Sequence, residues 1–115
     1  MTVEIYHNPR CSKSRTTLAL LEENSVTPDV RLYLETPPTA DQLKAVLAQL
    51  NMPARQLLRK GEDEYKANNL ADASLTEEQI IDLMVQFPRL IERPIVISNG
   101  QARIGRPPES VLEIL

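Results

Sequence analysis

The sequence predicts an α/β protein, and three observations support this class. Short β-prone runs typical of strands lie in the first and last parts of the chain, at 3–6 and 95–97. Two segments between them have apolar residues at helical spacing, and capping boxes precede both, at 39–42 and 76–79. Asn99-Gly100 follows the second apolar run and is a strong hairpin signal. Strands at both ends with helices between them indicate a sheet covered by helices.

The first third of the chain is predicted to form a strand, a helix and a second strand. Residues 3–6 make the first strand, and a helix follows over 12–23. Alternation of Val30, Leu32 and Leu34 predicts a second strand with one face buried. A βαβ unit of this size is parallel and right-handed.

The middle of the chain is predicted to be a block of helices. One begins at about residue 40, a short one covers 54–60, and another follows the capping box at 76–79. The charged run at 62–64 is expected to be a solvated face. The apolar stripes of the two longer helices are expected to be buried: Leu43, Val46, Leu47, Leu50, Ile80, Leu83, Met84 and Phe87.

The last part of the chain is predicted to be a hairpin and a terminal helix. The strand at 95–97 pairs with a returning strand at 102–104. Val111, Leu112, Ile114 and Leu115 are the expected buried positions of the helix. The order β-α-β and then β-β-α matches a thioredoxin-like fold. Residues 1–115 then form a single domain, and the helical block at about 39–90 is an insertion.

Composition narrows the classes of function. The net charge of −3 does not favour electrostatic binding of nucleic acid. No apolar run approaches the ~20 residues of a membrane span. A single cysteine excludes an internal disulfide and, without a signal-peptide pattern, predicts a cytoplasmic location. One histidine and one cysteine argue against a metal site built on these ligands.

Cys11 is the strongest candidate for chemistry. It lies where the first strand passes into the helix, and backbone N–H groups and the helix dipole favour negative charge there. Four basic or potentially basic residues surround it in the sequence: His7, Arg10, Lys13 and Arg15. A lone cysteine is often only a small buried hydrophobe. This setting instead favours a nucleophilic thiolate.

Three nearby residues restrict the chemistry of Cys11. Ser14 stands where a Cys-x-x-Cys pair has its second cysteine, so redox chemistry would need an external thiol. Thr17 stands where a phosphatase-like loop has arginine, which excludes that loop. Ser14 either donates a hydrogen bond to the thiolate or is an ordinary first-turn residue. His7 either favours the thiolate as a protonated imidazole or is a loop histidine bonded to backbone.

Three later arginines are candidates for binding an oxyanion: Arg59, Arg93 and Arg106. Arginine presents a planar fork that binds oxyanions in a bidentate manner. Arg93-Pro94 stands at the loop before the third strand, which in a thioredoxin fold lies against the active cysteine and usually holds a cis proline. The alternative for each arginine is a solvated surface charge.

Five motifs together resemble the glutaredoxin-linked arsenate reductase (ArsC) family. They lie at 6–15 (YHNPRCSKSR), 33–38 (YLETPP), 57–60 (LLRK), 93–96 (RPIV) and 106–107 (RP). They occur in the right order over nearly the whole chain, so the resemblance is specific at family level.

The resemblance implies a mechanism. Cys11 attacks arsenate held by Arg59, Arg93 and Arg106. Glutathione is the co-substrate, and glutaredoxin completes reduction to arsenite. His7 and Ser14 support the thiolate, and no bound cofactor is needed. One alternative is a thiol oxidoreductase acting on another substrate. The other is a non-catalytic regulator that binds RNA polymerase, although such regulators usually carry the Cys-x-x-Cys switch that Ser14 removes.

Overall fold

A computed structural model describes residues 2–115. The chain divides into two compact units. The sheet unit contains the residues up to Thr36 together with Arg93–Leu115. The helical unit contains Pro37–Glu92, whereas the sequence predicted an insertion at about 39–90. No helix in the part of the chain from residue 2 onward is long and apolar enough to cross a membrane.

The sheet unit is built on four strands in the order β2-β1-β3-β4. Strand β1 (Glu4–Tyr6) pairs in parallel with β2 (Asp29–Arg31) and antiparallel with β3 (Ile95–Ser98). Strand β4 (Gln101–Ile104) returns antiparallel to β3 across the predicted Asn-Gly turn. Helix α1 (Ser12–Glu23) connects the two parallel strands. The β-α-β and β-β segments therefore form as expected.

The core of the sheet unit contains only two of the four residues of the terminal helix that were predicted to be buried. Its cluster contains Ile5, Leu21, Val96, Val111 and Ile114. The terminal segment, Pro108–Ile114, is a 3-10 helix, in which residues three apart share a face. Val111 and Ile114 therefore point inward. The prediction that Leu112 and Leu115 are buried is wrong, because they lie away from the face of Val111 and Ile114 and are 38% and 41% exposed.

The second strand is shorter than the alternating pattern predicted. It ends at Arg31, and the N–H groups of Glu35 and Thr36 both donate to the carbonyl of Leu32 at 2.9 Å. This turn points Tyr33 inward, where its ring stacks on Tyr6 at 6.2 Å between centroids. The prediction that Val30, Leu32 and Leu34 share one buried face is therefore wrong.

The helical unit contains α2 (Ala40–Leu50), α3 (Ala54–Leu57), α4 (Asp63–Ala67), α5 (Glu77–Gln86) and a 3-10 turn (Pro88–Leu90). Both predicted capping boxes form. At the start of α2 the Gln42 N–H donates to Thr39 Oγ1 at 3.1 Å, and the Thr39 N–H donates to Gln42 Oε1 at 3.0 Å. Leu50, Leu83 and Phe87 are only half-buried, and Ile81 takes a buried place that was not predicted.

The charged run at 62–64 is not simply a solvated face. The Glu62 carboxylate accepts from Arg59 Nε at 3.3 Å and from Arg89 Nη2 at 3.2 Å. Its side chain is only 16% exposed. The prediction failed because the acidic partners of Arg59 and Arg89 cannot be identified from a run of charges.

Candidate active site

Cys11 lies at the N-cap of helix α1 in an extended conformation, and it is partly buried. Its N–H donates to the Asn8 carbonyl at 3.0 Å, which closes the loop after strand β1. Its carbonyl accepts the first helical hydrogen bond, from the Arg15 N–H at 3.0 Å. The backbone N–H groups of Lys13 and Ser14 point at the sulfur. The strand-to-helix passage therefore directs unpaired helix donors at Sγ.

Two of the three candidate arginines lie at the Cys11 sulfur. Arg106 Nη2 is 3.7 Å from Sγ, and the Arg93 guanidinium also donates a hydrogen bond to it. Each arginine precedes a proline in a cis peptide bond, Arg93-Pro94 and Arg106-Pro107. The two loops are joined, because Arg106 Nε donates to the Arg93 carbonyl at 2.9 Å. Cys11, Arg93 and Arg106 thus form one cluster at the end of the hairpin.

This environment decides the ionisation of Cys11. Burial on its own raises the pKa of the thiol, because a thiolate loses hydration in the protein. The Ser14 N–H, the hydrogen bond and charge of Arg93, and the Lys13 N–H act in the opposite direction and outweigh it. The pKa of Cys11 is therefore lower than that of an ordinary cysteine. A larger fraction of the sulfur is the nucleophilic thiolate at neutral pH.

Ser14 is buried, and its hydroxyl contacts residues of the loop after β1. Ser14 Oγ lies 2.6 Å from His7 Nδ1 and accepts from the Asn8 N–H at 3.0 Å. The contribution of Ser14 to the thiolate comes from its backbone N–H. The hydroxyl instead ties the loop after β1 to the first turn of α1.

His7 is also buried, and this changes its expected role. Burial lowers the pKa of His7, and the positive charge of Arg15 lowers it further. The protonated imidazole that the sequence-based interpretation invoked is therefore disfavoured. His7 instead supports the loop, because its neutral ring is a hydrogen-bonding partner of Ser14. Its backbone N–H donates to the Arg31 carbonyl at 2.9 Å.

Asn8 is a further residue of this site, which the sequence placed only within the motif at 6–15. It is buried, and its Oδ1 accepts from the Arg10 N–H at 3.0 Å. Its carbonyl accepts from the Cys11 N–H. The Asn-Pro pair was a signal for this turn, but not for a turn that fixes the nucleophile.

Arg59 belongs to the helical unit, where two carboxylates hold its guanidinium. Nη1 is 2.8 Å from Glu92 Oε1, and Nε is 3.3 Å from Glu62 Oε1. Its assignment to oxyanion binding stays a prediction.

A cavity of about 280 Å³ adjoins the loop that carries Cys11. It is lined by residues 7–10 together with Leu32, Leu34 and Glu35.

Among residues 2–115, no group of three or more His, Cys, Asp or Glu side chains is placed to hold a metal ion. The chemistry available to this cluster is that of a thiolate beside two guanidinium groups.

Comparison with known proteins agrees with the fold. The sequence model of the ArsC family matches residues 6–114. The uncharacterized protein YfgD of Escherichia coli (strain K12) is 63% identical over 114 residues, covering 98% of this chain and 96% of that protein. An arsenate reductase of Haemophilus influenzae is 45% identical over 116 residues and all of both chains.

A solved structure gives the same result for the backbone. The arsenate reductase from Vibrio cholerae superposes with a TM-score of 0.97 at 53% identity, covering 100% of this chain and 98% of that one. The predicted thioredoxin-like α/β class is thereby confirmed.

Proposed function

The chain belongs to the ArsC family, and from that premise we propose that it is an oxidoreductase that reduces arsenate to arsenite through Cys11. The observation that carries this proposal is the cluster of Cys11, Arg93 and Arg106. A thiolate can attack arsenic, while the two guanidinium groups can bind the oxygens of arsenate and stabilise its charge.

The proposed reaction begins with attack of the Cys11 thiolate on arsenic(V). An As–S bond forms, an arsenic-bound oxygen leaves as water after taking up protons, and arsenic remains in its oxidised state. Two external thiols then supply the two electrons and become a disulfide, while a second arsenic-bound oxygen leaves as water. Water cleaves the As–S bond of the resulting arsenic(III) adduct, so that arsenite leaves and the Cys11 thiol is regenerated. Ser14 cannot take part in a disulfide, so an external reductant is essential.

Glutathione and glutaredoxin are the proposed source of these electrons, as the sequence resemblance implies. Glutathione acts as co-substrate, and no bound cofactor is required. A cytoplasmic location is part of the same proposal, because both thiols are kept reduced there.

Arsenate-dependent turnover with glutathione, glutaredoxin and glutathione reductase, monitored as the oxidation of NADPH, tests the proposal. We expect turnover with the wild-type protein and none with Cys11→Ser, because a hydroxyl is a far weaker nucleophile than a thiolate. Lack of arsenate-dependent turnover in the wild type would contradict the proposed substrate. Turnover that survives Cys11→Ser would contradict the proposed nucleophile.

The arginine assignments have matched controls in the chain. Arg93→Ala is expected to weaken arsenate binding roughly ten- to a hundredfold, the worth of one charge-assisted hydrogen bond. Arg103→Ala should have little effect, because Arg103 pairs with Glu113 at 3.0 Å. Equal effects would mean that the oxyanion site is wrongly assigned. For Arg59→Ala the control is Arg89→Ala, since both arginines pair with Glu62.

A further inference from the structure

Gly105 is buried at the point where three segments of the sheet unit meet. A Cβ atom placed there would lie 2.5 Å from Thr17 Oγ1, 2.8 Å from Pro94 Cγ and 3.1 Å from Thr17 Cγ2. Ordinary van der Waals contact begins near 3.4 Å, so no side chain fits without movement of its neighbours. Gly105 is required for space and not for an unusual backbone angle.

Each segment that meets at Gly105 brings a group to the Cys11 sulfur. Thr17 lies on helix α1, whose first turn presents the N–H groups of Lys13 and Ser14. Pro94 directly follows Arg93, and Gly105 directly precedes Arg106. The Gly105 N–H donates to the Pro94 carbonyl at 2.9 Å, which keeps the two arginine loops together.

The neighbours of Gly105 cannot easily move aside. Thr17 is buried and β-branched, and its hydroxyl donates to the Lys13 carbonyl at 2.8 Å, one turn earlier in α1. Pro94 is a ring within the loop that leads into β3. An added methyl group would therefore push helix α1 away from the arginine loops instead of displacing a flexible side-chain end.

We propose that Gly105 is a positioning residue, whose missing side chain lets helix α1 and the two arginine loops close around the Cys11 sulfur. Thr17 is its counterpart on the helix. Separating these segments would lengthen the contacts of Arg93 and Arg106 with Sγ. A longer contact weakens the charge-assisted hydrogen bonds that hold a thiolate, so the sulfur would keep its proton to higher pH.

Gly105→Ala tests this proposal without any substrate. The readouts are the ultraviolet absorbance of the thiolate and the rate of alkylation by iodoacetamide as functions of pH. Cys11 is the only cysteine, so both signals have one source. We expect alkylation at about pH 6.5 to slow roughly three- to tenfold, with the thiolate transition moved to higher pH. The matched control is Gly61→Ala, because a Cβ there meets nothing within 4 Å.

A second variant separates positioning from general stability. Thr17→Ala removes two of the three atoms that obstruct the added Cβ, so Thr17→Ala/Gly105→Ala should recover at least half of the lost alkylation rate. A merely structural role of Gly105 would lower the melting temperature and leave the thiolate transition unchanged, which would overturn the proposal.

The double variant also decides the case in which Gly105→Ala does not fold. A folded double variant with a near-wild-type thiolate transition supports the proposal. A folded double variant with its transition still at high pH, or a double variant that also does not fold, overturns it. Because no arsenate is used, these outcomes are independent of the proposed reductase activity.

Discussion

At the scale of single residues, the ionisation of Cys11 results from a competition. Partial burial acts against the thiolate, while two backbone N–H groups and the Arg93 guanidinium act for it. The supporting groups come from sequence positions about eighty residues apart, so only the folded chain assembles them. A thiol in the unfolded chain lacks these groups and is therefore less ionised at neutral pH.

The residue types of this site were predictable, but their hydrogen-bond partners were not. Cys11, Arg93 and Arg106 stood out because their chemistry and the strand-helix and arginine-proline motifs are visible in the sequence. The Ser14 hydroxyl is an example. Its choice of His7 and Asn8 depends on ångström-scale geometry that no spacing encodes. The same geometry determines that His7 is buried and disfavours its charge.

His7 should make folding stability depend on pH. Burial and Arg15 lower its pKa in the folded state, whereas the unfolded chain takes up a proton near the ordinary value of ~6.5. The unfolded state therefore binds more protons as the pH falls through this value, and stability decreases. Urea unfolding between about pH 7.5 and 5.5 should show a slope of at most about 1.4 kcal/mol per pH unit.

The control for this prediction is His7→Gln, which retains hydrogen-bonding capacity without a titrating group. His7 is the only histidine, so the slope over this range should flatten in the variant. A slope of opposite sign in the wild type, or an identical slope in both proteins, would show that His7 is not held neutral by the fold.

At the scale of elements, local signals predicted the helices better than the edge strand. The capping boxes define helix starts through hydrogen bonds that form within four residues, so α2 and α5 begin where the sequence indicates. The end of β2 depends on a turn at residues 32–36 and on the stacking of Tyr33 against Tyr6. The turn is closed by local hydrogen bonds and the stacking is a tertiary contact, and together they override an alternating pattern of only three residues.

The two caps should make measurable and similar contributions to stability. Thr39→Ala and Thr76→Ala each remove the side-chain oxygen that accepts from the third helical N–H. Each is expected to lower the free energy of unfolding by about 1 kcal/mol, within a range of roughly 0.5–2 kcal/mol. Chemical denaturation measures the change.

Thr16→Ala is the matched control for the caps. Thr16 is exposed within helix α1, where alanine is a better helix former, so the variant should change stability by less than about 0.5 kcal/mol. Equal losses in all three variants would mean that the capping hydrogen bonds contribute nothing specific.

At the scale of the molecule, the sheet unit joins the two ends of the chain. The pairing of β1 with β3 and the cluster that includes Ile5, Val96 and Ile114 bring the first and last segments together around one core. The order of elements predicted this pairing, because a β-α-β segment and a β-β hairpin can share one sheet. The inward residues of the terminal segment were not predictable, because the sequence does not distinguish an α-helix from a 3-10 helix there.

The terminal 3-10 helix should therefore stabilise the sheet unit through one face only. Ile114 is 3% exposed in the core cluster, whereas Leu112, two residues earlier, is 38% exposed. Ile114→Ala should cost about 2–4 kcal/mol of unfolding free energy, because it removes buried methyl groups and leaves a cavity. Leu112→Ala removes the same number of carbon atoms and should cost less than about 1 kcal/mol. Urea denaturation measures the free energy of unfolding of the two variants. Similar losses of free energy would show that this segment does not pack as a 3-10 helix.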